Sequence, residues 1–133
     1  MTNRNVSAWL SLGFLATLGL LVGCGKDGDG PQRYRASGNV SLDGQPVSKG
    51  TIYFAPASGN KGPQGFSAIT NGNYDTQGAD GSGTVGGPHR VKIIGPDFEY
   101  QGKVDVDLPK ADGSQNFELK ANEVKKIAPS APA

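Results

Sequence analysis

Cysteine is almost missing from this chain of 133 residues: there is one, Cys24. A disulfide within the chain is therefore excluded, and the fold must be held by packing. Histidine is equally scarce, with His89 alone. Zinc sites take several His or Cys ligands, and serine or cysteine triads need a histidine base, so no metal site and no catalytic set emerges, and no cofactor is implied. There is no surplus of one charge: 13 Lys and Arg stand against 12 Asp and Glu. Without a clustered basic face, nucleic acid is excluded as a partner. Amphipathic helical periodicity is absent as well. What remains is rich in turn formers, with 21 glycines and 9 prolines, which is the composition of an all-β chain with many turns.

The one long uncharged stretch lies near the N-terminus. Arg4 and the free amine form a short positive start, and Ala8 to Val22 follows without a charge. These are the parts of a secretory signal. A spanning helix needs about 20 apolar residues, whereas this run contains Ser11, Gly13, Thr17 and Gly19 and ends in glycine with no basic cluster behind it. Leu21-Val22-Gly23-Cys24 then resembles the lipobox of bacterial lipoproteins. That resemblance implies cleavage between Gly23 and Cys24, a diacylglycerol on the Cys24 sulfur and acylation of the new amine. One acyl chain holds a protein only marginally, and stable anchoring takes more. The expected partner is thus a membrane, reached through lipid on Cys24. The expected location is the cell membrane or outer membrane, facing the periplasm or the cell surface. A buried thiol is the plainer alternative, but Gly23, Gly25 and Lys26 offer it no core.

Four segments follow: a signal peptide over 1–23, a flexible linker carrying Cys24 over 24–33, a β domain over 34–127 and a tail over 128–133. Removing the signal takes Arg4 with it and leaves the formal charge balanced, on roughly 110 residues, a single domain's worth. Asp27 and Asp29 look like the start of a calcium loop, but the twelfth position, which should be Glu, is Gly38. From Tyr34 onward the pattern alternates. Ala36, Gly38, Val40 and Leu42 share one face, Ile52 and Phe54 point inward with Tyr53 outward, and Val91 and Ile93 do the same within Arg90 to Ile94. Val104, Val106 and Leu108 alternate with Asp105 and Asp107, and Gln115 to Leu119 is expected to pair back on them, with Phe117 and Leu119 inward. Asp43-Gly44 and Asn71-Gly72 read as hairpin turns, and Glu123 to Ile127 as a short last strand. Val40, Ile52, Phe54, Val91, Ile93, Val106 and Phe117 should share one core.

About seven short strands with turns between them match an immunoglobulin-like sandwich. Gly38-Asn39-Val40-Ser41-Leu42-Asp43-Gly44-Gln45-Pro46-Val47, Gly50-Thr51-Ile52-Tyr53-Phe54, Asn71-Gly72-Asn73-Tyr74, Gly87-Pro88-His89-Arg90-Val91 and Asn116-Phe117-Glu118-Leu119 together resemble the carboxypeptidase regulatory-like domain. The resemblance implies a transthyretin-like or prealbumin-like β-sandwich with no peptidase activity of its own. His89 departs from it, since the pattern more often has an aromatic residue there. The fold expected is all-β, one immunoglobulin-like or prealbumin-like sandwich behind a signal helix and linker.

Chemistry is thin. Gly81 to Gly86 spells G-x-G-x-x-G, but a dinucleotide site needs a helix after it, and Gly87-Pro88 and a strand follow instead. His89 reads as a histidine bonded at a strand start. Asp105 and Asp107 share a strand face, where paired carboxylates serve as acid and base or simply as solvated charge. Tyr53, Phe98 and Tyr100 are the candidate ligand-binding residues, as exposed aromatics suited to a glycan or protein partner. A transthyretin-like hydrolase is the third option. Those enzymes use more than one histidine and end in Tyr-Arg-Gly-Ser, whereas this chain has one histidine and ends Ala-Pro-Ser-Ala-Pro-Ala. The leading expectation is a non-catalytic, lipid-anchored module of the bacterial envelope, structural or interacting in role.

Overall fold

The computed structural model describes residues 30–129. Cys24, its cleavage site at Gly23 and the segment before them lie outside the described residues. Within them the backbone forms strands, turns and a single 3-10 turn at Ala121–Glu123. The strands are β1 (Ala36–Leu42), β2 (Gln45–Pro46), β3 (Lys49–Pro56), β4 (Gly65–Thr70), β5 (Asn73–Asp75) and β6 (Gly81–Ser82). They continue with β7 (Gly87–Ile94), β8 (Phe98–Gln101), β9 (Val106–Leu108), β10 (Gly113–Ser114), β11 (Phe117–Leu119) and β12 (Val124–Lys126). The path through the sheet is β10-β1-β5-β4-β3-β7-β8-β12, with β2 and β11 also on β1, β6 on β4 and β9 on β7. This curled, largely antiparallel sheet is the all-β, sandwich-like architecture expected.

Alternation places the core. Ile52 and Phe54 are fully buried, while Tyr53 between them is half-buried on the other face. Their partners across β3 and β7 follow suit, with Ile52 opposite Ile93 and Phe54 opposite Val91. Val40, Ile52, Phe54, Val91 and Ile93 are core residues as expected, and Val106 and Phe117 pack against them partly buried. Phe54, Tyr74 and Phe117 form a ring cluster, with centroids 5.8 Å apart for Phe54–Tyr74 and 6.2 Å for each of the other two pairs. Such aromatic pairs contribute about 0.5–1.5 kcal/mol beyond their buried area.

Both Asx-Gly turns form. Leu42 pairs with Gln45 around Asp43 (φ 49°) and Gly44 (φ 79°), and Thr70 pairs with Asn73 around Asn71 (φ 50°) and Gly72 (φ 79°). Positive φ at both central residues is the two-residue turn whose twist matches the strands it joins. At Gly72 a Cβ would also sit 2.8 Å from the Pro46 side chain, so this turn needs glycine twice over.

Several expectations need correction. Val104 is 77 % exposed and outside any strand; β9 begins only at Val106. β11 does not return to β9. It lies parallel to β1, with Val40 opposite Phe117 and Leu42 opposite Leu119, while β9 pairs with β7. The glycine-rich loop contains β6 and a bridge from Tyr34 to Thr84, and the aromatic segment after Gly95-Pro96 is the strand β8. The short last strand does form, as β12 against β8. The strand total therefore exceeds the expected seven through short additions at the edges.

Candidate functional site

Two parts of the sheet flank the candidate site. One is β11, held only on its β1 side; the other is the rim of β7, carried by β8 and β9. Between them lies a cleft of about 570 Å³, within the range of about 300–1,000 Å³ typical of small-molecule sites. Its apolar wall comes from Val91, Tyr100, Val106 and Phe117, all contiguous with the core. Its polar wall comes from Gln101, Lys103, Gln115, Asn122 and Glu123.

Local structure explains the opening. After Gln101 the chain leaves β7: Gly102 N–H still donates to the Val91 carbonyl (2.8 Å), and the next regular pairing is Val106 with His89. Residues 103–105 thus bulge out, which is why Val104 is exposed. A Cβ at Gly102 would meet the Val91 carbonyl at 3.0 Å and the Tyr100 ring at 3.7 Å. Glycine there keeps the tight turn and leaves the ring uncovered. On the opposite wall Gln115 is pinned by its backbone, its N–H donating to the Ser37 carbonyl (2.8 Å) and its carbonyl accepting from the Tyr74 hydroxyl (2.6 Å). Its side-chain amide makes no hydrogen bond among the described residues, and the residue lines the cleft. Gln101 donates to Glu99 (3.0 Å), and Glu123 accepts from the Lys120 backbone (3.0 Å).

The three aromatic candidates do not form one surface. Phe98 is 4 % exposed and packed over Gly95, where a Cβ would overlap its ring; it is a core residue and not a surface ring. Tyr53 lies on the outer face opposite Lys92 and against Phe66, centroids 6.5 Å apart. Tyr100 lies on the inner face, opposite Ile93 and Val124, and lines the cleft. Tyr100 alone of the three reaches it.

His89 is 0 % exposed. Its Nδ1 lies 2.8 Å from the Gly87 carbonyl, and a carbonyl only accepts, so Nδ1 carries the hydrogen. Nε2 has no hydrogen-bond partner among the described residues. Sealed in this way, the ring does not reach a dissolved substrate. Asp105 accepts from the Ser58 hydroxyl and from Arg90 Nε (2.8 Å), and pairs with the Arg90 guanidinium at 2.6 Å. The Ser58 bond first, then Arg90, hold its carboxyl below the ordinary aspartate range. Asp107 is exposed opposite Pro88. The two aspartates are thus differently engaged and do not work as one pair. Gly81 to Gly86 leads into β7 and not a helix. Among the described residues no group of three or more His, Cys, Asp or Glu is placed to hold a metal ion.

Sequence reasoning missed most of the cleft. Of its lining, the sequence singles out Tyr100 alone as a site residue, and not Gln101, Lys103, Gln115, Asn122 or Glu123. The alternation of Phe98 and Tyr100 with Glu99 and Gln101 was the available signal for β8. No family model, curated protein or solved structure matches the chain.

Proposed function

We propose that the chain is a non-catalytic, lipid-anchored β-sandwich of the bacterial envelope that acts as an interaction module. The observation that carries the anchor is the junction Leu21-Val22-Gly23-Cys24 behind an uncharged apolar run. The resemblance to the carboxypeptidase regulatory-like domain, resting on its quoted motifs, agrees with a non-enzymatic role, and so does the burial of the only histidine.

The fold suits a tether. The chain enters beside the start of β7, where Pro31 lies in a surface cleft with Ser58, Asn60, Val85 and Lys110. Arg33 pins the entry, donating to the Ser82 hydroxyl (2.7 Å) and the Gly83 carbonyl (2.8 Å). The chain leaves at the other end of β7, where the Ile127 N–H donates to the Asp97 carbonyl (2.9 Å). Cys24 stands six positions before Gly30, a reach of at most about 20 Å. An acylated Cys24 would hold the entry end near the bilayer and point the Asp97 end away from it.

Mass spectrometry of the membrane fraction tests the anchor. The expected mature species begins at Cys24 and carries diacylglycerol and an N-acyl chain, and Cys24→Ser loses both the modification and the cleavage. An unmodified Cys24, or retained residues 1–23, sinks the proposal. The non-catalytic half is tested on ester, peptide and glycoside panels, where no turnover is expected; activity lost in His89→Ala with the circular dichroism unchanged would overturn it.

A further inference from the structure

We propose that the cleft between β8 and β11 is a binding site for a neutral saccharide, with a sugar ring face on Tyr100 and its hydroxyls on the amides of Gln115 and Asn122. The proposal goes beyond the anchored-module reading by naming a site and a ligand class.

Three observations carry it. The first is the mixture of surfaces. A pyranose has an apolar C–H face and a girdle of hydroxyls, each both donor and acceptor. The cleft's lining combines the Tyr100 ring and apolar side chains of the core with three amide residues, Gln101, Gln115 and Asn122. A side-chain amide supplies donors and an acceptor together, which hydroxyls require and which a purely charged wall does not give. The second is charge. The cleft's ionic side chains are Lys103 and Glu123, one of each sign. They cancel, so the site carries no bias toward an anion or a cation. The third is edge geometry. A peptide adding as a strand needs free backbone groups along the groove. On the β8 side those at Tyr100 are already taken, since Tyr100 pairs with Val124 of β12. An added strand would have only the three-residue edge of β11 to pair with, whereas a saccharide needs no ladder.

Positioning is built in. Gly102 leaves the Tyr100 ring bare, and Gln115 is fixed at both backbone groups by Ser37 and Tyr74. The backbone that carries the amide is therefore fixed, so only side-chain freedom is lost there when a ligand binds.

The test uses the full chain in detergent micelles with four probes: maltotriose, cellotriose, mannotriose and triacetylchitotriose. Saturation-transfer NMR detects binding and calorimetry measures it. At least one trisaccharide is expected to bind. Tyr100→Ala should then weaken it about tenfold, equivalent to about 1.4 kcal/mol, while Tyr100→Phe keeps the ring and most of the affinity. Because Tyr100 also packs against the core, Gln115→Ala provides a second variant: its backbone bonds persist, the fold should hold, and binding should weaken severalfold. Tyr53→Ala, on the outer face, should change nothing. Failure of all four trisaccharides to bind overturns the proposal, as does binding indifferent to both Tyr100→Ala and Gln115→Ala. Tyr100-dependent binding of a Val-Thr repeat peptide in place of the sugars also overturns it, by assigning the cleft to a strand. None of these results depends on Cys24 acylation, so the site and the anchor fail separately.

Discussion

Replacing Tyr74 with phenylalanine isolates one buried hydroxyl. Tyr74 is 3 % exposed, its ring packs on Phe54 and Phe117, and its hydroxyl donates to the Gln115 carbonyl (2.6 Å). Tyr74→Phe keeps the rings and removes that bond. A net hydrogen bond contributes about 0.5–1.5 kcal/mol, and a stranded buried partner raises the loss to about 1–3 kcal/mol. Gln115 is exposed, so water can reach its carbonyl and the cost at neutral pH should be near 1 kcal/mol. Alkali adds a second signature. Burial pushes the Tyr74 phenol above its ordinary value, while in the unfolded chain it ionises near pH ~10. Above that pH the native state holds one proton more than the unfolded state, so stability falls with pH. The slope is about 1.4 kcal/mol per pH unit, one proton's worth. This contribution is fully present below pH ~10 and is lost as pH rises toward the folded value. The phenylalanine variant has no such term. Its deficit at pH 7 should therefore shrink above pH ~10 and vanish roughly one unit higher. Urea midpoints of both proteins between pH ~7 and ~11 measure this. A stability gap that stays constant across that range would refute the buried-phenol reasoning.

Phe54→Ala, in the same ring cluster, should cost about 3–5 kcal/mol, whereas Val104→Ala on the exposed bulge should stay within about 0.5 kcal/mol; equal urea midpoints for the two would mean the inward and outward assignment is wrong. Asp75 accepts from Arg35 Nε (3.0 Å) and Nη2 (2.6 Å) and from the Gln77 backbone (3.0 Å), which hold its carboxyl below the ordinary range, Arg35 foremost. In Arg35→Ala its titration, followed by carboxyl NMR, should move up but keep part of its depression through Gln77. The associated stability is present above the unfolded aspartate value near pH ~3.9 and is lost as pH falls. It should be small, because the pair is exposed to solvent.

What could be read in the sequence is what short-range physics decides. Asp43-Gly44 and Asn71-Gly72 fix their turns through the φ their own residues accept, and the alternation around Ile52, Phe54, Val91 and Ile93 fixes which side faces the core. Phe98 shows where that logic stops. A ring between two carboxylates, Asp97 and Glu99, looks like surface until its register is known. Once β8 lies on β7 with Tyr100 opposite Ile93, Phe98, two residues along, must face the core as well. The partner of Phe117 is less legible still. Its inward direction follows from period two, but its neighbour is Val40, far back in the sequence, and a parallel pairing leaves no turn signal to announce it. The cleft is a consequence of that pairing. Had β11 returned to β9, as local order favours, Phe117 would lie beside that strand and not opposite Val40. Because β11 goes to β1 instead, Tyr100 of β8 and Gln115, just before β11, come to line one cleft. No periodicity on either strand encodes that juxtaposition. It follows from which edge the last strands choose, and the site has to be argued from the folded chain.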